Sequence, residues 1–390
     1  MRVPSVSGSE DQGVEVCRAL MAEAGLTTRV RPCTSIPGVP GMPDAYNVEG
    51  RLGAGPPKLC ISGHLDTLPL EGMTVNPLGE RRGNRYYGRG ASDMKGGLAA
   101  VLAAVDRLVG RGVTLRGELV IVGTASEETV KCGGYQLALD HHDAAAVVCA
   151  EPTNCRIAIA ATGSLALRLD TRGRGAHSSA PGGGGNAIVG AQAAARAVVE
   201  QLSETVSVPH IGPRRRAVNV GVIRGGIAQP VVPRECTVWL DVRYFVGETV
   251  GDLLARIERI CSEAVADLPG VSVSVSQERL DYEGSPYPRG SWGDFIHVER
   301  GMKPFVTDPA SSIVRVFQSV VGARGGNADV EMMPGWGDIE FVATDYQVPA
   351  LYFGPGDLAA AHTSDEYLDL DRYHEAIPIY EDVIQAFLHG

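Results

Sequence analysis

The chain has 390 residues, 44% of them apolar and 21% charged, which is the composition of a soluble globular protein too long for one small core and predicts two domains. Its formal net charge of −11 argues against a nucleic-acid partner, no run of about 18 apolar residues predicts a membrane span, and the N-terminal MRVPSVSGSEDQGVEV lacks the apolar core of a secretory signal. The eight cysteines form no CxxC pair, and Cys60, Cys149 and Cys236 sit in apolar runs, so free buried thiols in a reducing cytoplasm are expected rather than disulfides.

Residues 11–25 are predicted helical, with Val14, Val16, Leu20, Met21 and Ala24 on one face. A short buried strand over 58–62 follows, and then a strongly apolar helix over 95–109. The near-continuous apolar runs 117–125 and 144–150 are the strands expected of a parallel sheet. From about Gly163 the pattern changes: SLALRLDTRG (164–173) alternates apolar and polar residues, as a strand with one wet face does. A Gly-rich segment, 173–185, leads into a helix over 187–203. Two more alternating strands, an amphipathic helix over 250–268 and a strand over 271–276 complete this α+β package. From about 305 the α/β pattern returns, with a helix over 308–322, a strand over 348–354 and a last helix over 371–388. The expected fold is α/β. A domain with a mostly parallel central sheet flanked by helices, residues 1–162 and 281–390, is interrupted by an inserted α+β domain over 163–280.

Ligands in open parallel sheets bind beyond the carboxyl ends of the strands, and imidazoles and carboxylates recur there. His64 and Asp66 follow the strand at 58–62. Glu127 and Glu128 follow LVIVGTAS, Glu151 follows AVVCA, His362 follows ALYFGPGDLAAA, and Asp93 immediately precedes the apolar helix. A single histidine after a strand is ordinarily structural and adjacent glutamates ordinarily form a solvated turn; the recurrence at several strand ends is what points to a site. Two imidazoles among several carboxylates suit zinc, cobalt or manganese, whereas calcium uses oxygen ligands alone. The set exceeds the needs of one zinc ion and is met more economically by two metals about 3.5–4 Å apart.

SGHLDTLP, GRGASDMKGG, ASEE, AEPT and GPGDLAAAHTSDEYL occur in an order and spacing that resembles a zinc-dependent amidohydrolase and metallopeptidase family, that of acetylornithine deacetylase, succinyl-diaminopimelate desuccinylase, aminoacylase and glutamate carboxypeptidase. The likeness spans nearly the whole chain. It implies that His64, Asp93, Glu128, Glu151 and His362 ligate two divalent ions, Zn2+ or Co2+, with Asp93 bridging and with His64 and Glu151 on opposite metals. It also implies that Asp66 orients His64 and that Glu127 is the general base. Residues i and i+2 of an extended segment point the same way, so the Asp66 carboxylate is expected at the edge of the His64 ring, fixing its tautomer. Adjacent residues point oppositely, so Glu128 can bind metal while Glu127 faces the water that attacks.

The same resemblance makes 163–280 a lid and dimerisation domain. GRGAHSSAPGGGGNAI would bring His177 to the scissile carbonyl of a partner's site, and Arg243 in LDVRYF would bind the substrate carboxylate. The sequence departs from the family at two recognition positions. Gln229 or Pro230 stands where many relatives have asparagine. In GWGDIEF, Gly337 stands for a threonine and Glu340 for an arginine. The expected activity is hydrolysis of the amide bond of an N-acyl amino acid, with Glu340 favouring a cationic substrate. The competing readings are a dipeptidase, aminopeptidase or carboxypeptidase of the same fold, and a metal-binding scaffold without turnover.

Overall fold

The computed structural model describes residues 2–34, 44–179, 184–277 and 300–389. The chain divides into two compact units, Met1–Ala161 with Phe305–Gly390, and Thr162–Pro304. The chain thus leaves the first unit at Thr162 and re-enters it at Phe305, against expected boundaries at 163 and 280; residues 278–299 lie outside the described residues.

In the first unit, helix α1 (Asp11–Glu23) precedes β1 (Thr27–Pro32), β2 (Tyr46–Gly53) and β3 (Lys58–His64). Helix α2 (Gly96–Gly110), β4 (Glu118–Thr124), α3 (Cys132–His141), β5 (Ala146–Cys149) and β6 (Ile157–Ala161) follow. The nine-stranded sheet is mixed. The neighbours β4, β3 and β5 run parallel, as their unbroken apolar sequences predict, while β1 and β2 extend the β4 edge antiparallel. Leu59, Cys60 and Ile61 of β3, Leu119 to Ile121 of β4 and Val147 to Cys149 of β5 are all wholly buried, because helices flank the sheet.

The second unit is built differently, and its sequence shows why. β7 (Gly163–Arg172) alternates buried and partly exposed residues along its length, so only one face is dry. With β8 (Val218–Gly225), β9 (Glu235–Tyr244) and β10 (Ser272–Gln277) it forms a four-stranded antiparallel sheet in the order β8-β9-β7-β10. Helices α4 (Ala187–Leu202) and α5 (Val250–Val265) cover the dry face, and Leu165, Leu167 and Leu169 share one core with Val198, Val238, Leu240 and Ile257. Both helices start on a side-chain cap: Asn186 accepts from Ile188 N and Val189 N, and Thr249 accepts from Asp252 N.

The chain then completes the first unit with β11 (Phe305–Val306), α6 (Ser312–Ala323), β12 (Val330–Met333), α7 (Glu340–Asp345), β13 (Ala350–Tyr352) and α8 (Leu370–His389). β13 pairs parallel with β5 and antiparallel with β6, β11 pairs antiparallel with β6, and β12 pairs parallel with it. The parallel character expected of the sheet therefore holds for its centre, β4-β3-β5-β13, with antiparallel strands on either side. α2 and α8 pack on each other and on β3. Among the described residues no helix is long and apolar enough to cross a membrane, and all eight cysteines are free and buried.

Candidate metal centre

Three adjacent parallel strands end side by side. β3 closes on His64, β4 runs into the loop that holds Glu127 and Glu128, and β5 leads through Ala150 to Glu151. The loop after β13 supplies His362, whose φ of 61 is left-handed, a conformation uncommon in non-glycine residues. Asp93 lies in the irregular turn before α2. There, Ser92 N and Asp93 N both donate to Oε1 of the buried Glu366, at 3.0 and 3.1 Å, and Glu366 Oε2 accepts from Arg89 at 2.9 Å.

These segments converge on Asp93. His64 Nε2 is 3.0 Å from Asp93 Oδ1, and His362 Nε2 is 3.3 Å from Asp93 Oδ2 and 3.1 Å from Glu128 Oε2. One ligand atom each from His64, Asp93 and Glu128 can be chosen with all three within 4.8 Å of one another. Burial pulls the His64 pKa down, but the hydrogen bond to Asp93 and the charges of Glu127, Asp93 and Glu151 outweigh it and hold the imidazole well above its usual range. His362 is raised to about 10 by its hydrogen bonds to Asp93 and Glu128. Burial pushes Asp93 up, yet the bonds from His362 and His64 prevail and lower it. Both imidazoles are thus shifted toward binding a proton around one carboxylate, so the cluster favours positive charge at the place between them. Divalent cations would take over that role from the protons, so the donors fit a metal site.

Glu151 is buried, and burial, with the Asp93 charge next, raises its carboxyl well above the carboxylate range. The charges acting on it are those of Asp93, His64, Glu127 and Asp338, whereas Glu128 pairs with His362. With His64 among the charges acting on Glu151 and His362 paired with Glu128, the grouping favours His64 and Glu151 on one metal, where the resemblance had implied opposite ones. Gly337 packs directly on Glu151. A Cβ there would lie 2.6 Å from Oε1, and Gly337 N donates to Tyr352 Oη at 3.1 Å.

Asp66 acts differently from expectation. The group beside His64 Nδ1 is the main-chain carbonyl of Asp66, at 3.0 Å, and the nearer carboxylate oxygen is 3.6 Å away. The carboxylate is instead engaged by Glu127 N at 2.9 Å, Glu128 N at 3.0 Å and Ser7 Oγ at 2.5 Å. Asp66 therefore fixes the imidazole with its backbone and the glutamate loop with its side chain. Glu127 and Glu128 point apart, as expected: Glu128 toward His362, and Glu127 toward Lys131 Nζ, which bonds both its carboxylate and, at 2.7 Å, its carbonyl. Burial raises Glu127 to about 7, against the lowering charges of Lys131 and His64.

Glu340, expected at the substrate, is fully buried in the first turn of α7 and accepts a hydrogen bond from Thr344 Oγ1 at 3.2 Å. His177 and Arg243 belong to the second unit. His177 is exposed, its Nδ1 is 2.8 Å from Ser179 Oγ, and it bridges Val231, beside Gln229 and Pro230. Arg243 Nε donates to Asp241 Oδ2 at 2.9 Å on β9. Sequence reasoning missed Glu366, although it lies in the quoted HTSDEYL stretch, and also Lys131 and Asp338. Asp338 is wholly buried, accepts from Thr124 Oγ1, and is raised to about 6 by burial, with Lys131 opposing.

The model of peptidase family M20/M25/M40 matches residues 60–386. An acetylornithine deacetylase from Pectobacterium atrosepticum is 26% identical over 405 residues, covering 99% of this chain and 95% of the relative. A succinyl-diaminopimelate desuccinylase from Rhodospirillum centenum is 26% identical over 404 residues, covering 100% and 96%. Among solved structures, a tripeptidase from Staphylococcus aureus superposes with a TM-score of 0.77 at 19% identity, covering 100% of this chain and 96% of that one. A dinuclear metal-binding M20 peptidase from Bacillus subtilis gives 0.67 at 14% identity, covering 100% and 95%. The ordered motifs, the fold they build and the family match over most of the length agree: this chain belongs to peptidase family M20/M25/M40.

Proposed function

We propose that the chain is a dinuclear metal-dependent amidohydrolase that cleaves the amide bond of an N-acyl amino acid. The observation that carries this reading is Asp93, whose two carboxylate oxygens each face a different imidazole, His64 and His362. His64, Glu151 and Asp93 would hold one ion, and His362, Glu128 and Asp93 the other, with zinc the best match to the donors and cobalt next. Bound there, two such ions polarise a carbonyl and lower the pKa of water toward neutrality.

Glu127 takes a proton from the attacking water at its carboxylate and returns it to the leaving amine nitrogen. Burial raises its proton affinity, the direction that suits a group taking a proton from water. The Asp66 carboxylate, bonded to Glu127 N and Glu128 N, keeps base and ligand in register. A scaffold without turnover has no need of a base beside the metal ligands. Arg243 is the candidate partner of the substrate α-carboxylate, and the second unit with His177 is the candidate dimer surface and carbonyl donor. The free, buried cysteines support a reducing compartment, the cytoplasm, as its place of work.

The similarity to deacetylases and desuccinylases over nearly their whole length favours N-acyl amino acids, while the tripeptidase-like fold keeps short peptides as the second reading. The test is release of free amine from N-acetyl and N-succinyl amino acids and from di- and tripeptides, with zinc or cobalt added. Turnover of acyl amino acids above peptides supports the reading; turnover of peptides alone moves the assignment to a peptidase.

A further inference from the structure

The side chain beside Glu127 plays no part in the scheme above. Lys131 is only 1% exposed, and its Nζ donates to the Glu127 carbonyl at 2.7 Å and to the Glu127 carboxylate. The same ammonium lies 3.7 Å from the centroid of the Trp336 ring. A cation so far from water is strongly disfavoured unless it is paired and hydrogen-bonded. Here its partner is the residue assigned to move the proton. A packing role would need only the length of the chain, which a methionine supplies without the charge.

The backbone around it is also unusual. Ser126 and Lys131 both have left-handed φ, 55 and 52, and neither is glycine. Lys131 N donates to Ser126 O at 2.6 Å, closing the loop that contains Glu127 and Glu128. Strained non-glycine residues of this kind persist where the surroundings over-determine them, and they cluster at active sites. Two anchors therefore meet on Glu127. Asp66 Oδ1 accepts from its amide at 2.9 Å, and Lys131 holds both its carbonyl and its carboxylate.

We propose that Lys131 is a positioning residue for the general base: clamped against Trp336, it holds the Glu127 carboxylate in one orientation at the metal centre. The proposal rests on the reading of Glu127 as the base. It also accounts for the α3 start, where Gly133 and Gly134 follow Lys131. A Cβ at Gly133 would lie 2.4 Å from Ala125 N and O, and one at Gly134 would lie 2.4 Å from Asp338 Oδ1, so only glycines let the helix approach closely enough to deliver the lysine.

The experiment compares zinc-loaded wild type, Lys131→Met, Glu127→Gln and the double variant, with kcat, KM and bound metal measured for each. Cooperative melting verifies folding, and Lys131→Gln replaces Lys131→Met if the latter does not fold. The expected result for Lys131→Met is a fall in kcat of about 10- to 100-fold, the scale for losing a hydrogen bond to a charged group, with KM within about twofold and metal content unchanged. The double variant is expected to be no slower than Glu127→Gln alone, because the lysine acts through the glutamate. Wild-type kcat in Lys131→Met beside an inactive Glu127→Gln, loss of metal from Lys131→Met, or losses that multiply in the double variant would each overturn the proposal. Wild-type kcat in Glu127→Gln would show, independently of any lysine variant, that the base assignment is wrong, and the proposal would fall with it.

Discussion

Gly337 lies against Glu151 so closely that a methyl group at its Cα would stand 2.6 Å from Glu151 Oε1 and 3.1 Å from the Tyr352 ring. Interiors are close-packed and buried neighbours cannot retreat freely, so one added carbon here acts on a metal-ligand position without altering any ligand. Gly337→Ala is expected to displace the Glu151 carboxylate and weaken metal binding about 10- to 100-fold, in the range for disturbing groups that support a metal ligand. Competition with a chelator of known affinity measures it, and an unchanged affinity would remove Glu151 from the ligand set.

Asp66 couples two parts of the site through one side chain. Asp66→Ala removes the acceptor from Glu127 N, Glu128 N and Ser7 Oγ but keeps the main-chain carbonyl that faces His64 Nδ1. Leaving buried donors unpaired costs about 1–3 kcal/mol each. The expected outcome is a lower melting temperature together with a kcat loss. In Asp66→Ala, the His64 ring should keep its orientation in a crystal structure while the 126–128 loop shifts; a turned imidazole would restore the carboxylate to the orienting role.

The second unit carries an acid-sensitive network. The buried Arg216 guanidinium bonds Glu248 at 2.9 and 2.5 Å, and Glu204 accepts from both Arg216 and Arg256. The hydrogen bond from Arg256, opposed by partial burial, lowers the Glu204 pKa below its usual 4.5. A carboxyl whose folded value is depressed adds stability above its unfolded value, and that stability is lost as pH falls through the folded value. The stability of this unit against melting is expected to fall below about pH 4.5, and Glu204→Gln should flatten the acid limb; an unchanged limb would assign it to other carboxylates. Arg216→Met is expected to cost about 1.5–3 kcal/mol, the scale of hydrogen bonds to a charged group, since Glu248 loses its guanidinium partner but keeps Phe245 N and some access to water.

Glu340 is enclosed, so its charge has no route to a substrate without opening α7. Glu340→Gln should leave the ratio of kcat/KM for N-acetylornithine and N-succinyl-diaminopimelate unchanged. A fall in the cationic substrate of about 10-fold or more, the value of a charged hydrogen bond, would return Glu340 to the pocket.

What the sequence made legible follows from period and position. The apolar runs of β3, β4 and β5 marked the parallel centre, and the polar residues at their ends marked the site, because both signals are local. The alternation of β7 likewise announced a sheet with one wet face. β1, β2 and α3 were not foreseen. TTRVRP is mostly polar, and α3 begins with Cys132-Gly133-Gly134, where close packing overrides helix propensity. The exchange of roles between the Asp66 backbone and side chain was equally hidden, since it depends on where the 126–128 loop lies in space. Lys131 was hidden too: its spacing from Glu127 is helical but the intervening residues are not, so no periodicity connects them.

Titration of metal-free protein with zinc, following turnover and bound metal together, tests the dinuclear centre most directly. Activity is expected to rise to its plateau as the second equivalent binds, with Asp93→Ala unable to hold both ions. Full turnover by the metal-free protein, or a plateau reached at one equivalent, would contradict it.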